Sequence, residues 1–280
     1  MTSATENGFL GALLGMAIGD ALGAPLAGEQ ATNIGTTFGA VTGYLPVTVP
    51  DSDETHRGEF TDETEIALCL VESMTANQGR IDPETAGMRM VHLAAGHSRH
   101  WLQPATAAAL DLAGETLEFS VPAGGAHPAT GDVASRGAPI GLMHAVGRFD
   151  AARLRADALI AAQLTDGTPE AAEAVSAVAF LTRLAATGAP RETWASETAA
   201  FLGRGALGDA LRQLAALSPG PSVNEAIATF GDGIEATSVI PTAIVVVLRA
   251  PRFEDAVFAA VQAGGAADTR GALAGALAGA

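Results

Sequence analysis

Apolar residues recur every three to four positions along most of the chain, which is the spacing of a helix with a buried face. Gly and Pro interrupt this pattern at intervals and predict the turns between helices. The predicted helices are Phe9–Leu22, Asp62–Thr75, Pro83–Ala95, Ala134–Gly147, Ala151–Leu164, Pro169–Ala186, Arg191–Leu202, Leu207–Leu217, Val223–Phe230, Ile240–Leu248 with Pro241 in its first turn, Phe253–Ala263, and a last helix from Asp268 to the C-terminus.

Two segments lack the helical spacing and are rich in Gly, Pro and Thr. They are predicted to be loops, and they span Ala27–Gly58 and Gly114–Gly131. Only Val47–Val49 and Leu117–Val121 suit short strands. Because no stretch is long enough to be a linker between two domains, the pattern predicts a single all-α domain over residues 1–280.

Composition and charge narrow the function classes. The formal charge of −16 opposes nucleic acid as a partner, since phosphate would be repelled. Cys69 is the only cysteine, which excludes an intrachain disulfide and, with a polar N-terminus lacking a basic start, predicts a cytoplasmic protein. Phe9–Leu22 and Val239–Leu248 are apolar but shorter than the roughly 20 residues that cross a bilayer, so no membrane span is expected.

Acidic residues and hydroxyls meet at the predicted helix start Thr61-Asp62-Glu63-Thr64. Carboxylate and hydroxyl oxygens are the ligands that hard cations such as Mg²⁺ prefer. The same residues would also cap a helix and complement its dipole. This segment alone therefore leaves a metal site and an ordinary helix cap both open.

Two further segments carry candidate chemistry. Asp268 and Thr269 follow the turn Gly264-Gly265 and begin another helix. A metal site needs ligands from several segments, so two Asp/Thr helix starts in one chain favour a shared site. The segment Gly131–Gly141 is a Gly-flanked loop with free N–H groups, a hydroxyl and one Arg, which could hold phosphate oxygens or form a plain loop-to-helix junction.

Taken in this order along nearly the whole chain, the segments resemble the ADP-ribosylglycohydrolase family. Gly11–Pro25 resembles the opening helix of the family, Phe60–Thr64 its Thr-Asp-Asp-Thr metal motif, Arg136–Gly141 the end of its glycine-rich substrate loop, and Phe253–Val257 with Gly264-Gly265 and Asp268-Thr269 its final metal segment.

The resemblance implies an all-α orthogonal helical bundle whose cleft binds one or two Mg²⁺, with Mn²⁺ as a substitute. It also implies a hydrolase that releases ADP-ribose from a protein or small acceptor by cleaving an N- or O-glycosidic bond. By motif position, the metal ligands would be Thr61, Asp62, Glu63, Asp268 and Thr269, the catalytic residues Asp62 and Glu63, and the substrate-binding residues His127, Gly131, Asp132, Ser135 and Arg136.

The chain departs from the family pattern at the metal motifs. Ala266 stands where the second motif has its first Asp, and Glu63 stands where the first motif has its second Asp. After Pro25, the usual acidic position is Ala27, and Glu29 is out of register. Arg270 has no expected counterpart; its guanidinium is predicted to fill the vacated cation space and to pair with Asp62 or Asp268.

Three functions follow from these matches and departures. The first is a Mg²⁺-dependent ADP-ribosylglycohydrolase. The second is a catalytically weakened relative that binds ADP-ribose or a nucleotide, and the third is a metal-free structural protein. Most family members continue beyond the last predicted helix, which leaves open whether the C-terminal helices of the family are absent.

Overall fold

The computed structural model describes residues 6–48, 55–124, 129–217 and 220–280, and helices dominate them. The predicted all-α class is therefore confirmed. The helices are α1 Glu6–Gly23, α2 Ala31–Thr37, α3 Asp62–Ala76, α4 Pro83–Ala94, α5 Pro104–Thr116, α6 Gly131–Ser135, α7 Gly137–Met143, α8 Ala151–Gln163, α9 Pro169–Ala186, α10 Trp194–Leu202, α11 Ala206–Ala216, α12 Val223–Phe230, α13 Ala236–Arg249, α14 Phe253–Gln262 and α15 Ala267–Gly279.

The strands form one small hairpin inside the segment that was predicted to be a long loop. Strand β1, Pro46–Thr48, pairs antiparallel with β2, Thr55–Arg57, with Val47 opposite His56. The predicted strand Val47–Val49 thus holds for β1, although Val49 lies outside the described residues. Helix α2 also occupies this segment, so the prediction of a loop over Ala27–Gly58 is wrong in part.

Two other predictions need correction. Leu117–Val121 is irregular rather than a strand, because Leu117 ends α5 in the left-handed conformation (φ 58°). Helix α5 itself was not predicted; Pro104 fits its first position, where a missing N–H is harmless. Helix α13 begins at Ala236 rather than at Ile240, so Pro241 lies inside the helix.

Helices α1 and α15 are antiparallel and touch along their backbones. The contact runs along Gly11, Gly15, Gly19 and Gly23 on α1, which face Gly279, Gly275, Gly271 and Ala267 on α15. A Cβ added at Gly19 would lie 1.9 Å from the carbonyl oxygen of Gly271, so only glycine permits this approach. The packing brings the C-terminal half of α1, which carries Asp20, against the first turn of α15.

Helix α9 lies in the main core, with its residues from Val175 to Leu184 buried, and α7 and α8 pack on it. Gly137 and Gly141 of α7 approach the backbone of α9 closely, because a Cβ at either position would lie 2.2–2.4 Å from a carbonyl oxygen there. This packing fixes the segment that begins with α6. The segment is also tied to the start of α13, where Ala236 donates its N–H to the Ala129 carbonyl at 2.7 Å.

The N-terminal helix is longer than the sequence pattern suggested. With the following 3₁₀ turn it spans Glu6–Leu26, 21 residues of mean hydropathy 1.6, which is long and apolar enough to cross a membrane. The sequence pattern, which predicted a helix over Phe9–Leu22, therefore underestimated the length of this apolar stretch. An 18-residue window of this stretch is 56% buried inside the protein, and both the core helix of a soluble protein and a signal sequence near the N-terminus pass the same test of length and composition.

Candidate active site

The start of α3 is fixed by a carboxylate from another helix. Asp20 of α1 accepts hydrogen bonds from the backbone N–H and hydroxyl of Thr61 (3.0 and 2.8 Å) and from those of Thr64 (3.2 and 2.6 Å). Thr61 also caps the helix, since its hydroxyl accepts the N–H of Glu63. Asp62 and Glu63 are only 4% and 3% exposed, which is unusual for acidic residues in a first helical turn.

The starts of α3 and α15 meet, although 206 positions separate the two linked residues. The hydroxyl of Thr269 donates to Oε1 of Glu63 at 2.6 Å. The other carboxylate oxygen of Glu63 lies in hydrogen-bond contact with the hydroxyl of Thr61. Asp268 accepts the N–H of Thr269 at 2.8 Å. The two segments that the sequence singled out therefore form one cluster.

A cavity of about 560 Å³ opens over this cluster. Its acidic lining residues come from five separate segments: Glu29, Asp62 and Glu63, Asp132, Asp232, and Asp268. Among the described residues, no ion pair with an arginine or histidine involves any of them. The cavity is thus an anionic cleft, and no arginine or histidine in the described part of the chain pairs directly with its carboxylates.

Burial and mutual repulsion shift the titration of these carboxylates. Burial raises the pKa of Asp20 to about 7, against the lowering effect of its hydrogen bonds from Thr64 and Thr61. Burial, followed by the charge of Asp132, raises the pKa of Asp62 well above its ordinary value. The pKa values of Glu63 and Asp268 are raised in the same direction, with burial as the main cause. Each carboxylate therefore favours a proton or a nearby cation.

The contacts of the Thr61 hydroxyl also bear on the protonation of these carboxyls. It lies within hydrogen-bond distance of both Asp20 Oδ1 and Glu63 Oε2, but it carries one hydrogen and can donate to only one of them at a time. The other carboxyl oxygen is left without this donor unless its own carboxyl is protonated. Buried oxygen donors in this state are chemically suited to a hard divalent ion.

The donor set fits Mg²⁺ in kind. Across the described residues, no group of three or more His, Cys, Asp and Glu side chains is already arranged to hold a metal ion. Mg²⁺ commonly keeps several waters and binds proteins through only one or two carboxylates, so three converging side chains are not required. Asp62 and Asp268 both line the cavity and carry such carboxylates.

The predicted substrate loop reaches the cavity through one residue. Asp132 lines the cavity, whereas Ser135 is buried and donates its hydroxyl to the Asp132 carbonyl at 2.6 Å. Gly131 is buried against Thr269 and Val239, where a Cβ would clash. Arg136 is 1% exposed and donates to the Ala161 carbonyl at 3.0 Å.

The prediction that Arg136 contacts phosphate is therefore wrong, because its guanidinium is enclosed in the protein. Gly131 and Ser135 shape the loop instead of lining the cavity. His127, also predicted to bind substrate, lies outside the described residues.

Arg270 does not enter the cleft. It is fully buried and donates to the Thr242 hydroxyl (3.0 Å), the Gly264 carbonyl (2.5 Å) and the Asp232 carbonyl (3.4 Å). The predicted pairing with Asp62 or Asp268 is wrong, because the side chain turns behind the cavity wall. Ala266 does line the cavity, at the position where the family motif would place a carboxylate.

Several cavity residues escaped the sequence reasoning. Trp101, Gln103 and Asp232 line the cavity, but Trp101 ends a short 3₁₀ helix, Gln103 caps α5, and Asp232 lies in an irregular segment, so none belongs to a recognised motif. The Gly-Asp-Gly sequence at Asp232 was the one available signal. Glu29 reaches the cavity because residues 28–30 pair with the turn at Gly264-Gly265, through hydrogen bonds of 2.7 and 2.8 Å.

Comparisons with known proteins agree with this fold. The sequence profile of the ADP-ribosylglycohydrolase family matches residues 1–280. A solved structure described as an ADP-ribosylglycohydrolase-related protein complex is 29% identical, with a TM-score of 0.70 over 98% of this chain and 86% of that chain. No curated protein matches the chain significantly.

The family consists of hydrolases that act on ADP-ribosylated substrates and are generally metal-dependent. Its profile covers the whole of this chain, including both acidic helix starts. The similar solved structure has the same type of all-α fold. This chain therefore belongs to the ADP-ribosylglycohydrolase family.

Proposed function

We propose that the chain is a Mg²⁺-dependent hydrolase that cleaves the glycosidic bond between ADP-ribose and a protein or small-molecule acceptor. The observation that carries the proposal is the meeting of two distant acidic helix starts in one cavity, through the 2.6 Å hydrogen bond from Thr269 to Glu63. The chemistry of the cluster and the membership of the family support the same reaction.

Thr61, Asp62, Glu63, Asp268 and Thr269 are the proposed ligand set, and Asp132 adds a sixth oxygen-bearing side chain. One or two Mg²⁺, or Mn²⁺ in their place, would orient ribose hydroxyls and lower the pKa of a bound water. Glu63 is held between two threonine hydroxyls, which fixes its carboxyl for proton transfer. Asp62 faces the cavity, where it can accept a proton from water.

A weakened relative that binds ADP-ribose without cleaving it is the second candidate. Ala266 favours it, because a methyl group lines the cavity where the family motif supplies a carboxylate. Glu63 favours it as well, since one of its oxygens accepts the Thr269 hydroxyl and the other lies against the Thr61 hydroxyl, which leaves both less free to bind a cation. Ala266 also favours the third candidate, a metal-free structural protein, whereas the retention of Thr61, Asp62, Asp268 and Thr269 together favours the first two.

Calorimetry with ADP-ribose, with and without Mg²⁺, separates these functions when it is combined with an assay for ADP-ribose release from Arg- and Ser-modified peptides. The proposal expects both binding and turnover in Mg²⁺. Binding without turnover on either peptide would select the second candidate, and no binding would leave the third. A cytoplasmic location, away from nucleic acid and membranes, stays a prediction from composition.

A further inference from the structure

A second cavity lies at the opposite end of helix α13 from the acidic cleft. It has a volume of about 400 Å³ and opens where the start of α10, the end of α11 and the end of α13 meet. The acidic cleft is lined by Gly233 and Ile234, which come just before α13 begins. Because α13 has 14 residues, roughly 20 Å of helix separates the two sites. This second cavity, which we call the α13 cavity, is therefore distinct from the proposed active site.

Much of the lining of the α13 cavity is apolar. Ala195, Leu214 and Val245 line it with side chains that are otherwise buried in the protein. Leu217 also lines it and is 38% exposed, which is high for a large apolar residue. Small-molecule sites are mostly apolar clefts of about 300 to 1,000 Å³ in which a few polar groups orient the ligand. The α13 cavity has the size for a small ligand with an apolar body.

Arg249, in the last turn of α13, provides the cavity with a fixed cation. Its Nε donates to the Pro221 carbonyl at 2.9 Å, and its Nη2 donates to the Gly220 carbonyl. These two hydrogen bonds hold the guanidinium against the segment that precedes α12. A guanidinium has five N–H groups, so others remain available to a ligand. Carboxylates are the ligands that suit this planar fork best among uncharged and charged small-molecule groups of amino acids.

Glu192, in the short 3₁₀ helix before α10, provides the opposite charge. In the described part of the chain, its carboxylate forms no ion pair and accepts no hydrogen bond. The neighbouring Arg191 does not neutralise it, because that guanidinium donates to the Val247 and Ala250 carbonyls at 3.2 and 3.5 Å. Glu192 and Arg249 thus line one cavity without pairing with each other, and apolar side chains complete the lining.

We propose that the α13 cavity binds a free amino acid with an apolar side chain. The carboxylate of the ligand pairs with Arg249 and its ammonium group with Glu192. Its side chain packs against Leu214 and Val245. A carboxylate without an ammonium group would meet the uncompensated charge of Glu192, and an amine without a carboxylate would meet that of Arg249, so the lining selects a zwitterion. This binding site goes beyond the proposed hydrolase function and does not depend on it.

Calorimetric titration of the full chain with L-leucine, in EDTA, tests the proposal. We expect a Kd of about 1 mM or tighter. Three analogues each lack one part of the ligand: N-acetyl-L-leucine lacks the ammonium group, isoamylamine lacks the carboxylate, and glycine lacks the apolar side chain. Each analogue should bind at least about tenfold more weakly than L-leucine.

Two results of these titrations would overturn the proposal. One is the absence of L-leucine binding up to about 20 mM. The other is an analogue that binds as tightly as L-leucine. Equal binding of N-acetyl-L-leucine, in particular, would indicate a site for a carboxylate alone, such as the C-terminus of a peptide.

Charge variants show whether the two ends of the ligand meet the expected side chains. Glu192→Gln should weaken L-leucine binding at least about tenfold and should reduce the preference for L-leucine over N-acetyl-L-leucine to within about twofold, a change that a general loss of structure would not produce. The matched control is Glu197→Gln, which removes an exposed acid of α10 that does not line the cavity. Parental affinity and preference in Glu192→Gln would overturn the proposal.

Arg249→Met should weaken L-leucine binding by a similar factor, but it also releases the segment at Gly220 and Pro221. A pair of variants that leaves these contacts in place therefore completes the test. Ala215 is exposed and lines the cavity, whereas Ala216 is exposed and does not. Ala215→Trp should fill the cavity and abolish L-leucine binding, and Ala216→Trp should bind within about twofold of the parent. Loss of binding in both variants, or in neither, would overturn the proposal.

Discussion

The sequence alone left two interpretations of the helix start Thr61–Thr64 open: an ordinary helix cap and part of a metal site. Thr61 caps α3, as an ordinary N-cap does. The cap hydroxyl also contacts Asp20 and Glu63, so the same atoms hold the carboxylates of the cleft. This helix start differs from an ordinary cap because Asp62 and Glu63 are buried, whereas acidic residues in a first helical turn normally face water.

The first residue-scale prediction concerns Asp62. Asp62→Ala should abolish detectable Mn²⁺ binding, because it removes a carboxylate that lines the cavity. Among the described residues, this carboxylate receives no hydrogen bond from outside its own helix turn, so it is available to a cation. It should not lower Tm, since it also removes a buried like charge. The matched control is Asp255→Ala, which removes a half-buried acid in the first turn of α14 that pairs with Arg252. Unchanged Mn²⁺ affinity in Asp62→Ala would show that the site is wrongly placed.

The second residue-scale prediction concerns pH. The pKa of Asp20 is raised from 3.8 to about 7, and that of Asp62 is raised as well, so the folded state binds more protons than the unfolded state in this window. The stability of the metal-free protein should therefore fall as pH rises from about 5 to about 8.

Mg²⁺ should flatten this dependence, because a bound cation takes over the role of the protons. Thermal unfolding at several pH values, in EDTA and in Mg²⁺, checks both statements. A metal-free Tm that increases from pH 5 to pH 8 would mean that other groups dominate the titration of the protein.

Among the elements, the contact between α1 and α15 does most to build the site. It joins Asp20 near one helix end to Asp268 at the start of the other, through glycine backbones that touch. Gly19→Ala should destabilise the protein by roughly 1–3 kcal/mol, the range for overpacked cores, because its Cβ would meet the Gly271 carbonyl. Urea unfolding measures the free energy change.

Gly35→Ala is the control for that substitution. Gly35 lies in α2, and a Cβ there would meet no atom within 4 Å. We expect equal or greater stability in this variant, since Ala is the better helix former. A Gly19→Ala protein as stable as the control would mean that the two helices can separate without loss.

The sequence predicted elements well where a cap or a proline marked the helix start. Thr168 and Pro169 open α9 as expected, and Thr61 opens α3. Pro241 misled the prediction for α13, because a proline tolerated inside a helix was assigned to its first turn. The regular spacing of the glycines in α1 is visible in the sequence, but its role in close helix packing follows only from the position of α15 in the structure.

For the molecule as a whole, the cleft joins segments that the sequence keeps far apart. The resemblance to a family predicted that Asp62 and Asp268 would meet, and the structure brings their helix starts together. Trp101, Gln103 and Asp232 could not be predicted as cavity residues, because their positions depend on how short helical turns and connecting segments pack. The orientation of Arg136 and Arg270, away from the cleft, depends on packing in the same way.

The charge of the whole chain leads to a prediction about ligand binding. A net charge of −16 and an anionic cleft should repel the pyrophosphate of ADP-ribose when no metal is bound. In EDTA, affinity for ADP-ribose should therefore increase as salt rises from about 20 to about 300 mM, since screening weakens the repulsion. Calorimetry that found tighter binding at low salt in EDTA would point to cationic contacts instead.

Anomalous scattering from crystals soaked in Mn²⁺ tests the central claim most directly, because it locates the ion without relying on activity. The account predicts a strong peak in the cleft, bound by the carboxylates of Asp62 and Asp268, and the number of peaks there gives the metal count. The absence of any peak between these two helix starts, in crystals with strong peaks elsewhere or none, would contradict the account.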